Sequence, residues 1–455
     1  MMREHRFEGK WWIPDNSEKE CCGTLTFTQA EGANLNLIDS LAGMENLAKP
    51  IHYDIILGFT PEGKKVTLYN CFGKTQISSG FQTDSYLANI VYVGAHFQKA
   101  EDIKFKSLSI KYSHLDEWAG ISGFDIQDIL KDGQTTIKYK QPSPLEAITK
   151  DGRKIILSTQ SILRQQTIDQ REASITQETW VRRESPEQSS YTDCFDDMYH
   201  IQNFLSLTMM QPVHPLSIEG QTESNVETVS GKSYYPPVSI LYKSIDSSIV
   251  PKSIPSFNML FTLKQLDFKT LIPKWFEKRE LLQPVCDLYF GTFYNPRMYL
   301  QQKFLSLVQA LESYHRRVIR NYAWPEEKHN LRKKEILDSA PKKHRKWLNF
   351  VLKHSNEPRL SERLGELLYN FSKIADVYIK DKKVFVRRVT DTRNYLIHYD
   401  TKLRDKAAKW PELYYINQKL GIIITACLLE QLGITLDNIT STLIEKRRLF
   451  NVDSM

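Results

Sequence analysis

The sequence predicts an α+β protein: an antiparallel β-rich N-terminal domain of sandwich or barrel type, followed by a C-terminal all-α helical bundle. Three observations carry this expectation. Short strand-like segments fill residues 23 to about 112. A Ser/Pro/Gly-rich stretch from 211 to 256 interrupts the chain. From about residue 260 apolar side chains recur at helical rather than alternating spacing.

Taken in order, GTLTFT and NLNLI come first. IHYDIILGF and KKVTLYNCF then flank Thr60-Pro61-Glu62-Gly63, a strong hairpin turn. YLANIVYVGAHF and KFKSLSIKY continue the pattern, and TTIKYK and KIILST carry strand-length pieces toward residue 180 and beyond, with Pro142 and Pro144 in a loop between them. DDMYHIQNFLSLTMM reads as a helix that stops before Pro212. The expected division is therefore 1–195 for the β-rich domain, 196–294 for a helical and loop-rich connection, and 295–455 for the bundle. In the bundle, Phe304, Leu307, Val308 and Leu311 share one face of a first helix. A second spans roughly 361–379 with Ser361 as its cap, and a third covers roughly 383–399. A fourth opens with Pro411 in its first turn and ends near Gly433. Four long helices joined by short connections suggest an up-and-down bundle.

Composition narrows the function classes. A chain of 455 residues, 41% apolar and 25% charged, is long for one core and unlike a disordered protein. The longest apolar run of the C-terminal half, GIIITACLL at 421–429, is about half of what a membrane helix needs. MMREHRFEGKWW has no apolar stretch of signal-peptide length, so a cytoplasmic location without membrane contact is expected. Six cysteines form no C-x-x-C pair, which argues against a zinc site or a disulfide framework, and no Walker loop, GxGxxG or HExxH pattern occurs. The net charge of +7 conceals an asymmetry. From residue 301 onward 30 Lys and Arg face 18 Asp and Glu, whereas residues 1–300 carry 31 against 36. A basic C-terminal half suits a polyanionic partner, although lysine-rich helices also serve simply as solvated faces.

The stretch DTRNYLIHYD, 391–400, puts polar residues on a helix that otherwise reads as interior. Phe385, Val386, Val389, Leu396 and Ile397 form the expected core stripe, Arg393 projects into it, and Asn394 and His398 share a neighbouring polar face with Arg387. A buried guanidinium without a partner costs several kcal/mol, so Arg393 needs a carboxylate, a phosphate or a water-filled cleft. Glu312, at the edge of the first helix's apolar face, is a candidate. Two readings stay open on geometry: a structural Arg393–Glu312 pair with His398 at the boundary, or a site in which this polarity is used.

RNYLIH resembles the Arg-polar-x3-His motif of HEPN domains, helical-bundle ribonucleases of prokaryotic toxins and antiviral defence, over roughly residues 295–440. The helix with Ala310-Leu311-Glu312 looks like the first helix of ApeA-type members. Gly9-Lys10-Trp11-Trp12-Ile13-Pro14, Gly23-Thr24-Leu25 and Tyr92-Val93-Gly94-Ala95-His96-Phe97 are similar to the N-terminal domain of ApeA anti-phage proteins. The resemblance implies cofactor-free, metal-independent endonucleolytic cleavage of RNA at a composite site of two HEPN domains in a homodimer, leaving 2′,3′-cyclic phosphate and 5′-hydroxyl ends. Arg393 would hold phosphate oxygens, His398 would exchange protons at neutral pH, Asn394 would orient the histidine or the scissile group and Glu312 would support the site. Lys382, Lys383, Arg387, Arg388 and Arg404 would track RNA phosphate, each being equally well a solvated surface charge. The β-rich domain would sense a phage-derived trigger, with abortive infection as the outcome. A tRNA anticodon loop fits as substrate, but nothing in the sequence selects it over other RNAs.

Other features read more blandly. Trp11-Trp12 is expected in a β core, His315 as a satisfied core histidine, Tyr395 and Tyr399 as packing, and the acids of Asp193-Cys194-Phe195-Asp196-Asp197 as caps at a helix start. Two further classes remain: a non-catalytic HEPN protein that binds RNA or a partner, and a β-domain receptor for a phage component or glycan whose bundle only dimerises.

Overall fold

The computed structural model describes residues 4–43, 47, 49–78, 81–127, 136–165, 173–229, 231–243 and 253–450. The chain divides into two compact units, residues 1–205, 213–256 and 262–273 in one, and 206–212, 257–261 and 274–455 in the other.

The first unit is antiparallel β structure. Strands β1 (His5–Ile13), β2 (Asn16–Thr28), β3 (Gly32–Ile38), β4 (Pro50–Phe59), β5 (Lys65–Ser78) and β6 (Phe81–Val93) pair in the order β6-β3-β2-β1-β4-β5. Because β5 also pairs with β6 from Val66↔Val93 to Ser78↔Phe81, these strands close into a barrel. The hairpin turn expected at 60–63 joins β4 to β5, with Gly63 at φ 82° and its N–H donating to the Thr60 carbonyl at 2.9 Å. Alternation fills the interior: Ala33, Leu35 and Leu37 of β3 meet Leu25 and Phe27 of β2, Val66 and Leu68 of β5, and Tyr86 and Val91 of β6. Trp11 is fully buried among them. Its indole lies against Gly58, where an added Cβ would sit 2.3 Å from the ring, so glycine is what lets β1 and β4 approach there.

From β6 the sheet continues beyond the barrel. Strands β7 (Lys104–Tyr112), β10 (Leu145–Ile148), β11 (Lys154–Gln165), β12 (Ala173–Ser190), β13 (Pro215–Gln221) and β16 (Val238–Tyr242) follow in the order β6-β16-β13-β7-β12-β11-β10. Two small hairpins, β8 (Phe124–Gln127) with β9 (Thr136–Tyr139) and β14 (Glu227–Val229) with β15 (Lys232–Tyr234), stand apart. The β region thus runs to residue 242, and the Ser/Pro/Gly-rich stretch after 211 supplies sheet strands; its residues 244–252 lie outside the described residues. A short helix α1 (Leu115–Ala119) precedes β8, and α2 (Tyr191–Met209) follows β12.

The α2 helix corrects one expectation. Asp193 does sit in its first turn beside Ser190, but Asp197 is fully buried. Its carboxylate accepts from Arg183 Nε of β12 at 2.9 Å and from Arg153 Nη1 at 2.5 Å, and so clamps helix to sheet. Residues 14 and 44 positions away cannot be foreseen from a local run of acids.

The helical part comprises α3 (Phe268–Glu277), which crosses from the first unit into the second, α4 (Arg279–Gly291), α5 (Leu300–Tyr314), α6 (Glu326–Ser339), α7 (Lys342–Val351), α8 (Leu360–Asn370), α9 (Ser372–Tyr378), α10 (Lys382–His398), α11 (Glu412–Gln431) and α12 (Leu436–Glu445). Helix α11 is buried nearly all round, from Leu413 to Leu429, and packs on α5. Polar contacts tie its ends: Asn417 Nδ2 donates to the Leu300 carbonyl at 3.0 Å, and Tyr289 and Thr425 share a hydroxyl hydrogen bond of 2.6 Å. Gly433, at φ 84°, ends the following turn. No helix among the described residues is long and apolar enough to cross a membrane.

Several boundaries differ from the sequence reading. The helix expected over 361–379 breaks at Phe371 into α8 and α9, and its cap is Arg359 rather than Ser361. There the Arg359 N–H donates to Glu362 Oε2 at 2.7 Å, the acid three residues on satisfying the free backbone donor. Pro411 occupies the N-cap position of α11 instead of its first turn.

Candidate active site

Helix α10 carries the motif. Asp381 caps it, accepting from the Val384 N–H at 2.9 Å, and Phe385, Val389 and Thr392 are its buried residues. The expected core stripe holds only in the first half. Leu396 is half-buried and Ile397 is 47% exposed, because the buried face ends at Thr392, whose hydroxyl turns back to the Arg388 carbonyl at 2.7 Å. The RNYLIH end therefore lies at the surface of this unit. His398 is the last helical residue, followed by Tyr399 in the left-handed conformation at φ 50°, whose N–H donates to the Tyr395 carbonyl at 2.6 Å. The Tyr395 and Tyr399 rings meet edge to face at 5.6 Å, with Tyr399 itself exposed.

Arg393, Asn394 and His398 stand on this exposed end. The Arg393 side chain is 32% exposed; its Nη1 donates to Asn394 Oδ1 at 3.3 Å, and its Nη2 lies 4.0 Å from Glu312 Oε2 on α5. That carboxylate is also 3.7 Å from Arg316, which in turn pairs with Glu357 at 3.0 Å. An ion pair this long and this exposed contributes at most about 1 kcal/mol, so it does not explain by itself why the helix carries an arginine here. The remaining guanidinium donors of Arg393 have no partner among the described residues. His398 is exposed and likewise has no partner among the described residues. On a helix, residues five apart are separated by about 140°, so one phosphodiester lying flat on α10 would meet either the guanidinium or the imidazole more easily than both. Asn394 and His398, about 40° apart, do share a face.

The flanking cations divide. Arg388 is held by Glu412 through two hydrogen bonds of 2.8 and 2.5 Å and donates to the Lys406 carbonyl at 2.6 Å, so it braces α10 against α11. Lys382 pairs with Asp376 at 2.8 Å. Lys382, Lys383 and Arg387 line a hollow of ≈ 530 Å³ with Gly365 and Tyr369. Arg387 and Arg388 border a larger cavity of ≈ 830 Å³ with Val384, Phe385 and Lys419. Both lie beside the first half of α10, and neither is lined by Arg393 or His398. Arg404 is exposed in the turn after the helix. Among the described residues no group of three or more His, Cys, Asp or Glu could hold a metal ion.

A buried network adjoins the site. A π-helical stretch, His315–Ile319, extends α5, and His315 is fully buried within it. Arg363 Nη1 donates to His315 Nδ1 at 3.1 Å, and since a guanidinium has no acceptor, the other nitrogen must carry the proton and donate to Glu366 Oε2 at 2.7 Å. The His315 imidazole is neutral in this arrangement, its pKa pushed down by burial. Sequence reading placed His315 in the core but missed Arg363, Arg320 and Glu366, whose only hint was an arginine standing next to the apolar Leu364 and Leu367.

The Arg320 guanidinium, with His315 beside it, holds the Glu366 carboxyl down at about 2. A carboxyl depressed in the fold stabilises it above the ordinary glutamate value of about 4.3 and loses that contribution as pH falls toward 2. The wild type is expected to lose urea resistance between about pH 5 and pH 2 more steeply than Glu366→Gln, by under about 1 kcal/mol because the side chain is one-third exposed. Parallel pH profiles of the two proteins would contradict this role.

Residues 6–275, more than half of the chain, match the family described as ApeA N-terminal domain 1. The chain belongs to the ApeA family. Residues 305–438 match the Apea-like HEPN family, covering α5 through the start of α12 and so the whole of α10. The pair of matches follows the ApeA-type order, β region first and HEPN bundle second. The HEPN match supports an anti-phage nuclease family, whose domains are generally ribonucleases. No curated protein and no solved structure matches the chain.

Proposed function

We propose that this ApeA-family protein is a metal-independent endoribonuclease of anti-phage defence, cutting RNA at a site composed by two HEPN domains in a homodimer. The observation that carries the reading is the exposed end of α10, where Arg393 is only loosely held by Glu312 and His398 has no partner among the described residues. A residue set kept for packing would be expected to bury and saturate these groups.

In the proposed reaction the ribose 2′-oxygen forms a bond to phosphorus and the P–O5′ bond breaks. The proton lost from the 2′-hydroxyl is balanced by one delivered to the leaving 5′-oxygen, and the products are a 2′,3′-cyclic phosphate and a 5′-hydroxyl. His398 exchanges the proton and Arg393 receives the charge that develops on the phosphate oxygens. Asn394, whose side-chain oxygen accepts from Arg393 and which shares a helix face with His398, orients the histidine or the scissile group, and Glu312 limits the swing of the guanidinium. The 140° separation on one helix favours a composite site, in which the imidazole of one copy and the guanidinium of the other face the same linkage. Lys383, Arg387 and Arg404 would guide the backbone. A tRNA anticodon loop is the substrate proposed first, and the β region is proposed to sense a phage-derived trigger in the cytoplasm.

The test is chemical. RNA incubated with the purified protein in excess EDTA should be cut, and the new ends should be cyclic phosphate and 5′-hydroxyl. Cleavage that stops with EDTA, or that leaves 5′-phosphate ends, would refute the proposal.

A further inference from the structure

Helices α6 and α7 have no part in the bundle core. None of their residues is buried, and hydrogen bonds tie the hairpin they form at its root. There Asn356 takes the Trp324 N–H at 2.9 Å and donates to the Trp324 carbonyl at 3.0 Å. A helix normally hides its apolar face, yet α7 exposes Trp347 by 65%, Phe350 by 77% and Val351 by 52%. These side chains share one face with Lys343 and Lys346, since residues three, four and seven apart lie on one side of a helix. Between Asp338 and Glu357 the chain has no carboxylate. Arg345 is used internally, donating to the Ala340 and Asp338 carbonyls at 2.9 and 2.7 Å. Lys342, Lys343, Lys346 and Lys353 are all exposed and in no ion pair among the described residues.

We infer that the α6–α7 arm is a docking platform for single-stranded RNA, in which Trp347 and Phe350 stack on bases while Lys343 and Lys346 hold the phosphates between them. Stacking faces interleaved with unpaired cations are what a single strand requires. A protein partner fits less well, because the centres of protein interfaces are depleted in lysine. The arm is joined to the proposed site. Glu357, at its root, pairs with Arg316, which lies beside Glu312 and thereby Arg393, so a strand held on α7 would be led toward that arginine. The choice of RNA rests on the ribonuclease reading; the location does not.

The experiment uses the full chain carrying His398→Ala, to prevent cleavage, and fluorescein-labelled oligouridine as the probe. Adding Trp347→Ala with Phe350→Ala should weaken binding by about 10-fold or more per aromatic. Adding Lys343→Glu with Lys346→Glu should weaken it further and flatten its salt dependence by about 1.4 in logarithmic slope, two phosphates' worth. Since all four side chains are exposed, circular dichroism should match the parent. Binding equal to the parent's in both variants overturns the inference, as does a parent that binds no oligouridine. A fall in sedimentation coefficient with binding unchanged also overturns it, because the face then belongs to a second protein chain. If His398-intact protein cuts RNA while the arm variants bind normally, the arm inference fails and the nuclease reading stands. Arm-dependent binding without any cutting has the opposite meaning.

Discussion

His398→Ala is expected to lower the rate of RNA cleavage by about 10²–10⁴-fold, the contribution typical of a positioned proton-transfer group. The reason to expect a loss of chemistry and not of structure is the exposure of the side chain. It ends α10, makes no hydrogen bond or ion pair among the described residues, and leaves no cavity when removed. Surface substitutions of that kind change stability by no more than about 0.5 kcal/mol. Single-turnover cleavage and denaturant titration on the same preparations separate the two effects. A variant that cuts at the wild-type rate would remove His398 from the reaction, and one that unfolds would give it a structural role that its surroundings do not suggest.

Asp197→Ala is expected to cost the β unit about 3–5 kcal/mol, the penalty for removing one partner of a buried ion pair. Arg183, whose side chain is 2% exposed, loses its carboxylate and keeps only the Ser189 hydroxyl at 2.9 Å among the contacts described for it. Arg153 retains Asp151, so most of the cost falls on Arg183. Because Asp197 links α2 to β12, the loss should appear as a lower denaturant midpoint for the β unit. A shift under about 1 kcal/mol would mean that water reaches the arginine and that the clamp is not a major contributor.

The elements that could be read from sequence are those whose signal is local. Alternation gave β3, with Ala33, Leu35 and Leu37 all inward, and the Thr60 to Gly63 turn set the β4–β5 hairpin, because period and turn chemistry are written within a few residues. Closure of the barrel was not legible between sandwich and barrel, since it depends on β5 pairing β6 along its length while β3 takes the other edge. In the bundle, α10 was placed within a residue, yet its core stripe was drawn too long: Ile397 has the right spacing and no neighbour to cover it. The α6–α7 arm escaped for the converse reason. Helix α6 has no apolar face, and the apolar face of α7, Trp347, Phe350 and Val351, spans little more than one turn and is covered by nothing among the described residues, so periodicity alone does not distinguish it from a core helix. At the site, Glu312 was found because it follows an apolar stripe, whereas Arg363 and Glu366 required the α8 contact with His315. For Arg388, open in the sequence between a phosphate contact and a solvated surface charge, the ion pair with Glu412 depends on a residue 24 positions on that no local signal reveals.

Receipt of phosphate charge by Arg393, as a strand is cut at the end of α10, is the step on which the proposed reaction depends. Its most direct measurement is sequencing of RNA ends in cells expressing the wild type or Arg393→Ala. The expected result is a set of new 5′-hydroxyl ends with the wild type that is absent with the variant at equal protein levels. Coincident end profiles would contradict the claim.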